Sequence, residues 1–288
     1  MRTEHNPLRM LQAPSTIKPI VFVVVTHLPV EQSSYHDHRF EVIKTCLETM
    51  RQNSYREHTF MIWDNGSEDG FRQWLQNIFK PDILVLSSNI GKTAARTSAI
   101  NMLPLSSIVC YSDDDVLYYD NWLNPQIELL NHFPNVACVS GYPVRTMFRW
   151  GNTNTKTWAW DHGDKKLEQG RFIPKEWELD YADSIGRSHE DQISMTLKDI
   201  DFRVTYQGKK AYLTSHHCQF IGYKVKIEKV LGYDDMAMGD EKPLDIALDQ
   251  TGLRLCTTQR YSRHMGNIID DKLRSEITNM YIKEKVES

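Results

Sequence analysis

Residues 106–115 read SSIVCYSDDD, a short apolar run that ends in three consecutive aspartates. The apolar part, with Ile108 and Val109 at its centre, is typical of a strand that is buried on both faces. Three adjacent carboxylates repel one another and destabilise the fold unless a cation lies among them. The stretch therefore predicts a buried strand with a charged site at its carboxyl end.

Strand and helix patterns alternate on both sides of this stretch. The predicted strands are 19–26, 58–64, 82–88, 106–115 and 135–141, and the predicted helices are 38–52, 71–79, 91–103 and 121–133. This alternation is typical of an α/β protein with a twisted, mostly parallel sheet flanked by helices. In such sheets ligands bind beyond the carboxyl ends of the strands. Thr26, Asp64 and the aspartates all lie at such ends, so we expect a site there.

The second half of the chain is less regular. We predict a loop-like insert at 148–166, a strand at 211–222, a helix around 224–232 and a charged, helical tail after Asp270. We find no internal repeat and no clear linker between the two halves.

Composition and charge exclude several classes of protein. The chain has 288 residues and a net charge of −4, which argues against a nucleic-acid-binding protein. Its five cysteines lie far apart and form no C-x-x-C pair, so we expect reduced thiols rather than disulfides or a zinc site. We expect no signal peptide and no transmembrane segment, because the first apolar run is too short to cross a membrane. These features predict a cytoplasmic protein, and peripheral association with a membrane surface stays open.

The aspartates Asp113, Asp114 and Asp115 are the first candidate site. In an extended segment, Asp113 and Asp115 point to the same side and Asp114 to the other. Such a pair of carboxylates suits a hard divalent cation, Mg²⁺ or Mn²⁺, which can bridge to phosphates. The alternative is a solvated acidic turn that caps the helix predicted at 121–133. At the end of a fourth strand in an α/β run, we favour the metal site.

Six short motifs follow one another along the chain. They are a first strand that ends at Thr26, WDNGSEDG (63–70), SNIGKTAART (88–97), SDDDV to NWL (112–123), FIGYKVKIEKVLGYDD (220–235), and MGDEKPLDIALDQTGLRL (238–255) with the later His264. Their order and spacing resemble the family 2 glycosyltransferases of the GT-A fold, and the resemblance covers residues 19–267. It implies an enzyme that moves a monosaccharide from a nucleoside-diphosphate sugar, of UDP or GDP type, to an acceptor hydroxyl. It also implies inversion at the sugar and Mn²⁺ or Mg²⁺ as cofactor.

The resemblance implies nucleotide-sugar contacts in the first half of the chain. Asp64 would hydrogen-bond the nucleotide base near the backbone of Thr26 and His27. The other positions implied to bind the nucleotide sugar are Asn89, Gly91, Arg96, Asp113 and Asp114. Arg96 would face the diphosphate or hold an aspartate of the triplet, and its alternative is a structural ion pair. The alternative for Asp64 is an Asx-type turn with Ser67.

The resemblance also implies the metal and catalytic residues. Asp115 and then Asp113 would bind the metal, and His264 matches a late histidine that completes the metal site in some relatives. A lone surface or core histidine is its alternative. Glu241 falls on the position of the general base, which removes the proton of the acceptor hydroxyl. Asp240 precedes it in an order reversed from the family's, which leaves open which carboxylate acts; an acid-rich helix N-terminus is the alternative for both.

Aromatic residues are the candidates for contacts with the acceptor. Trp158 and Trp160 lie in the predicted insert, and indole faces pack well on sugar rings. Packing beneath a loop is the alternative for both tryptophans. His216 and His217 precede a strand-like segment and are also candidates to face the acceptor. We expect the acceptor to be a glycan, a lipid-linked compound or another hydroxyl compound, as in polysaccharide biosynthesis.

The resemblance divides the chain into four parts. They are a flexible N-terminal arm (1–18), a nucleotide-sugar-binding half (19–140), an acceptor-binding and catalytic half of the same domain (141–269), and a charged C-terminal helix or tail (270–288).

Two other functions remain open from the sequence. A catalytically silent relative that binds carbohydrate or nucleotide is favoured by the reversed Asp240-Glu241 pair. A sugar nucleotidylyltransferase would need a Gly-rich, Arg-containing loop after the first strand. The chain has THLPVEQSSYHDH (26–38) there, which counts against it.

Overall fold

The computed structural model describes residues 19–30, 33–161, 163–232, 241–267 and 269–287. The predicted arm 1–18 and the candidate Asp240 lie outside these residues. Within the described ranges, ten strands form one sheet and two short strands form a second.

The strands, in chain order, are β1 (Ile20–Thr26), β2 (Thr59–Asn65), β3 (Ile83–Ser87), β4 (Ile108–Ser112), β5 (Val116–Tyr118), β6 (Val136–Ser140), β7 (Lys165–Gly170), β8 (Asp201–Tyr206), β9 (Lys209–Tyr212), β10 (Gln219–Tyr223), β11 (Leu253–Cys256) and β12 (Ser262–His264). The helices are α1 (Arg39–Gln52), α2 (Asp69–Trp74), α3 (Lys92–Asn101), α4 (Leu123–His132), α5 (Thr153–Trp160), α6 (Lys175–Ser184), α7 (His189–Thr196), α8 (Lys224–Ile227), α9 (Lys242–Thr251) and α10 (Asp271–Glu287). A π-helical turn, Leu75–Phe79, extends α2.

The large sheet has the strand order β3-β2-β1-β4-β10-β6-β11-β9-β8-β7. The first four strands in this order are parallel. β10 runs antiparallel between β4 and β6, and β11 is parallel to β6. β9, β8 and β7 continue the sheet as antiparallel neighbours. The predicted α/β class, with a large, mostly parallel sheet flanked by helices, is confirmed.

β1 is buried along its whole length because apolar clusters cover both faces of the sheet. Phe22 and Val24 pack in one cluster, which includes residues of α1 and α4. Val21 and Val23 pack on the opposite face, in a cluster that includes Ala95 of α3. A strand that is covered on both sides needs a continuous apolar run, as its sequence IVFVVVT provides.

Three segments differ from their predictions. The insert 148–166, predicted as a loop, contains α5. The strand predicted at 211–222 is divided between β9 and β10. The three aspartates are not extended, because β4 ends at Ser112 and the aspartates occupy the turn before β5.

Three further observations concern the cysteines, the C-terminal tail and the lengths of the helices. All five cysteines are free and buried. The tail after residue 270 forms the helix α10. None of the helices in the described part of the chain combines the length and the apolar character that a membrane span requires.

Candidate active site

A cavity of about 830 Å³ lies at the carboxyl ends of β1, β2 and β4. Ligand pockets in proteins typically have volumes of about 300–1,000 Å³, so its size suits a small-molecule ligand. Its polar lining includes His27, Arg39, Asn65, Asn89, Lys92, Asp113, Asp114, Asp115, Tyr181, Ser184, His216, His217, Glu241, His264 and Asn267. The structure therefore brings together eight of the predicted site residues: Asn89, Asp113, Asp114, Asp115, His216, His217, Glu241 and His264.

Asp114 is bound by groups from the start of the chain. The Arg39 guanidinium contacts its Oδ1, and the backbone N–H of His27 donates to its Oδ2 at 3.1 Å. Burial raises the pKa of Asp114, and the charge of Arg39 opposes that rise without cancelling it. Arg39 also donates to Asn267 Oδ1 at 3.2 Å. Asp114 thus ties the aspartate turn to the end of β1 and the start of α1.

Lys92, in the first turn of α3, joins the triplet to the candidate base. Its Nζ lies 2.9 Å from Asp113 Oδ2 and 3.2 Å from Glu241 Oε1. Tyr111 donates its hydroxyl to Asp113 Oδ1 at 2.8 Å, so both oxygens of Asp113 have partners. The carboxylates of Asp113 and Glu241 are therefore linked through one ammonium group.

Arg96 pairs with the candidate base rather than with the triplet. Its Nη1 donates to Glu241 Oε2 at 2.8 Å, and its side chain is only 4% exposed. Burial alone would raise the pKa of Glu241, but the charges of Lys92 and Arg96 outweigh it and lower the pKa to about 2. Arg96 is not among the residues that line the cavity. The structure therefore contains the structural ion pair that was the alternative interpretation of Arg96.

Asp115 and His264 form the third charged contact of the triplet. His264 Nε2 lies 3.1 Å from Asp115 Oδ2, and its Nδ1 lies 2.9 Å from Ser184 Oγ. Burial opposes ionisation of both side chains, yet their mutual attraction lowers the pKa of Asp115 to about 2 and raises that of His264. Asp115 and His264, the two residues implied to share a metal, thus contact each other directly, and their binding of a metal stays a prediction.

The donor set at Asp115 fits a divalent cation that shares its coordination with substrate. Asp115 Oδ1 is buried and has no hydrogen-bond partner among the described residues. Within the same ranges, no three His, Cys, Asp or Glu side chains form a ready metal cluster. Mg²⁺ is usually held by one or two carboxylates together with substrate phosphates, and carboxylates suit Mn²⁺ as well. Asp115, with its unpartnered oxygen, is the residue best placed for this role.

Asp64 and Thr26 are buried and are not among the residues that line the cavity. Asp64 is fully buried, and its Oδ2 accepts from Arg72 Nε at 2.8 Å and from the Ser67 N–H at 3.3 Å. The contact with Ser67 is the Asx-type turn that was the alternative for Asp64. Asp64 Oδ1 and Thr26 Oγ1 are nevertheless buried without partners in the described part of the chain. A base contact by Asp64 stays a prediction.

Two asparagines form the cavity wall next to Asp64. Asn65 Nδ2 donates to Asn89 Oδ1 at 3.0 Å, and both residues line the cavity. The backbone N–H of Gly91 also donates to Asn89 Oδ1 at 3.0 Å. Gly91 has a φ of +87°, a conformation that glycine adopts readily, and directly precedes α3. Gly91 thus shapes the turn that aims Lys92 into the cavity, but does not line it.

The acceptor candidates are dispersed. His217 lines the cavity, with Nδ1 2.9 Å from Asp245 Oδ2. Trp158 packs against Phe133 and Tyr206, and Trp160 is 44% exposed; neither lines the cavity. Trp158 therefore packs against other side chains, as its alternative interpretation predicted. An acceptor contact by either tryptophan stays a prediction.

Three cationic residues of the site were not predicted from the sequence. Lys92 stands next to the predicted Gly91, and its position at the start of the helix that follows β3 was a usable signal. Arg39 and Arg72 carried no such signal. Their partners Asp114 and Asp64 are known only once the chain is folded.

Comparison with known proteins identifies the family. The model of the family described as glycosyl transferase family 2 matches residues 34–187, more than half of the chain. The chain therefore belongs to glycosyl transferase family 2. A search of curated protein sequences gave no significant match.

A solved structure supports the GT-A fold expected from the sequence. A crystal structure of GalNAc-T7 with UDP, GalNAc and Mn²⁺ matches 86% of this chain at 11% identity, with a TM-score of 0.52. The match covers 43% of the GalNAc-T7 chain, so the present chain spans less than half of that length.

Two further structures match with lower scores. S. aureus TarS (1–349) matches 85% of this chain and 60% of its own length, at 11% identity and a TM-score of 0.47. The mannosyltransferase PcManGT from Pyrobaculum calidifontis, in complex with GDP-Man and Mn²⁺, matches 46% of this chain and 40% of its own, at 20% identity and a TM-score of 0.31.

Proposed function

We propose that this chain is a metal-dependent glycosyltransferase. It transfers a monosaccharide from a UDP or GDP sugar to the hydroxyl of a glycan, a lipid-linked compound or another acceptor. The observation that carries the proposal is that Asp115, His264 and Glu241 line the same cavity. The family match and the UDP, GDP-Man and Mn²⁺ named for similar structures support the same chemistry.

The proposed reaction is one displacement at the anomeric carbon. Glu241 accepts the proton of the acceptor hydroxyl, whose oxygen attacks the anomeric carbon as the bond to the diphosphate breaks. Such a single step inverts the configuration at that carbon. Glu241 is ionised at neutral pH because its pKa is lowered to about 2, so it is in the state that a base requires.

Asp115 is assigned to the metal, with His264 and Asp113 as further candidates. When bound, a divalent cation offsets the negative charge on the departing nucleoside diphosphate. The unpartnered Oδ1 of Asp115 supports this assignment. Asp113 supports it less, because Lys92 and Tyr111 already occupy its two oxygens.

A catalytically silent nucleotide-binding protein is the second candidate function. It is favoured by the two cations that hold Glu241, since a carboxylate with a pKa of about 2 is a weak base. General bases work best when their pKa lies near the operating pH. In this alternative the cavity still binds the nucleotide sugar, but no transfer follows.

The experiment that tests the proposal measures thermal stability of the purified protein with UDP, GDP, dTDP or CMP, each with and without Mn²⁺. A ligand that binds only the folded state raises Tm. We expect a metal-dependent rise with one nucleotide that is lost in Asp115→Ala. No rise with any nucleotide contradicts donor binding.

Turnover separates the two candidate functions. The nucleoside diphosphate released from the matching nucleotide sugar is measured with the wild type and with Glu241→Gln. Release that requires Glu241 supports the transferase. Binding without release, at the same nucleotide affinity in both proteins, supports the silent alternative.

A further inference from the structure

His216 is a buried side chain of the cavity wall whose second ring nitrogen has no partner. The residue is 3% exposed and lines the cavity. Its Nδ1 accepts a hydrogen bond from the backbone N–H of Cys218 at 3.2 Å. Its Nε2 is buried and has no hydrogen-bond partner among the described residues. A buried polar atom without a partner costs free energy. An unpartnered nitrogen on a residue that lines a ligand cavity therefore needs an explanation.

The contact with Cys218 fixes which nitrogen of His216 carries the proton. A backbone N–H can only donate, so Nδ1 must be the unprotonated, accepting nitrogen. In the neutral ring the proton is then on Nε2, which is an unpartnered donor on a residue of the cavity wall. Burial, with the nearby His217 contributing, lowers the pKa of His216 well below its usual value, so the ring stays neutral. His216 is therefore a fixed hydrogen-bond donor rather than a base.

The rings around His216 hold its orientation. Tyr142 lies 5.1 Å away and His217 4.7 Å away, measured between ring centroids. Tyr181 of α6 packs edge-on at 6.1 Å and also lines the cavity. His216 thus belongs to an aromatic part of the cavity wall, and such a wall suits the apolar face of a sugar ring.

The position of His216 relative to the triplet indicates which part of a ligand it would meet. The carbonyl of Cys218 accepts from the backbone N–H of Asp113 at 2.8 Å, so residues 216–218 adjoin the aspartate turn directly. Asn65 and Asn89 line the cavity from the opposite, β2–β3 side. A nucleotide sugar with its base near β2 and its diphosphate at the triplet would extend its sugar toward His216.

We propose that the Nε2–H of His216 donates a hydrogen bond to a hydroxyl oxygen of the transferred sugar. This inference rests on the proposed function, because it presumes a nucleotide-sugar donor in the cavity. The hydroxyl of a bound acceptor offers the same chemistry. The test therefore measures donor binding with no acceptor present.

Two substitutions separate the role of each ring nitrogen. His216→Asn keeps an acceptor near the position of Nδ1, for the N–H of Cys218, but has no donor near Nε2. His216→Gln keeps a donor near Nε2 and loses the acceptor near Nδ1. A merely structural role through Cys218 would make the Gln variant the more damaged of the two. The proposed role makes the Asn variant the more damaged in sugar binding.

The measurement is calorimetric titration of each protein with UDP and GDP, and with UDP-glucose, UDP-N-acetylglucosamine and GDP-mannose, in Mn²⁺. The readout is the ratio of Kd for the sugar nucleotide to Kd for its nucleoside diphosphate. We expect the ratio to rise about tenfold in His216→Asn, the size of one lost hydrogen bond, and to stay near the wild-type value in His216→Gln.

Several outcomes would overturn the inference. If His216→Asn loses as much affinity for the nucleoside diphosphate as for the sugar nucleotide, the contact of His216 is with a phosphate. An unchanged ratio in His216→Asn, even with a raised KM for acceptor, would remove the donor sugar as partner. If the wild-type protein binds UDP or GDP but none of the three sugar nucleotides, the inference about His216 is overturned and the proposed function is not. A wild type that binds no nucleotide overturns the proposed function as well.

Discussion

At the scale of single residues, the chain supplies its own cations to the aspartate triplet. Lys92 contacts Asp113, Arg39 contacts Asp114, and His264 contacts Asp115. The repulsion among the three carboxylates is therefore offset by side chains, before any ligand is considered. The case for a metal rests instead on the unpartnered Oδ1 of Asp115.

Lys92 is expected to set the pH range of activity through Glu241. Burial raises the pKa of Glu241, while Lys92 and then Arg96 lower it, with a net value of about 2. Activity requires the ionised base, so it is lost as pH falls through this pKa. In Lys92→Met the pKa rises, and the acidic limb of the kcat/KM profile should move upward by about one pH unit or more.

Lys92→Arg is the matched control for this prediction, because it retains the positive charge. Its acidic limb should stay near that of the wild type. An acidic limb at the same pH in Lys92→Met and the wild type would show that Glu241 is not the group that titrates in catalysis.

At the scale of elements, α5 depends on a side chain from a distant helix. Asp249 of α9 accepts hydrogen bonds from the backbone N–H groups of Asn154 and Thr155, at 2.8 and 3.0 Å. It also accepts from the hydroxyl of Thr155 at 2.6 Å. Asp249 therefore serves as the cap of the first turn of α5, a role usually taken by the residue that precedes a helix.

Loss of this cap should destabilise the protein more than loss of an ordinary one. Asp249→Ala leaves three buried or half-buried donors without their acceptor, and we expect a loss of about 2–3 kcal/mol. Ser188→Ala, at the exposed N-cap of α7, should cost about 1 kcal/mol or less. Urea unfolding of both variants measures the difference. Equal losses would mean that α5 does not need Asp249.

The buried ion pair between the 3₁₀ helix Arg145–Arg149 and β8 provides a second test. Arg145 Nε lies 2.7 Å from Asp201 Oδ1, and both side chains are at most 3% exposed. Asp201→Ala leaves a buried guanidinium without its partner, which should cost about 3–5 kcal/mol in urea unfolding. Glu128→Ala breaks an exposed pair with Lys209 and should cost less than about 1 kcal/mol. Similar losses from the two substitutions would contradict the burial argument.

Elements with a local cause were predictable from the sequence. β1 follows from a continuous apolar run and α1 from apolar residues at helical spacing. Both elements begin within one residue of their predicted starts. α5 was not predictable in this way, because its cap lies 95 residues away along the chain. The same limit applies to the site. Strand ends indicated Asp64 and the triplet, whereas Arg39 meets Asp114 across 75 residues.

At the scale of the whole molecule, the two predicted halves share one sheet. β10 (Gln219–Tyr223), from the second half, lies between β4 and β6 of the first. Residues 19–140 alone would leave the inner edges of β4 and β6 unpaired. An unpaired strand presents a row of N–H and C=O groups without partners.

We therefore expect a fragment of residues 19–140 not to fold by itself. Expressed alone, it should show no cooperative thermal unfolding transition by circular dichroism, whereas the full chain should show one. A fragment of residues 19–232 contains β10 and serves as the comparison. Cooperative unfolding of the shorter fragment near the Tm of the full chain would contradict a role for β10 in completing the sheet.

The position of β10 also has a consequence for the nascent chain. The ribosome must add the segment between Ser112 and Gln219 before β4 can pair with β10. At about 5–20 residues per second, translation of that segment takes on the order of 5–20 s. During this interval one edge of β4 is open for pairing with other chains. A chaperone bound to the ribosome would therefore find a substrate there.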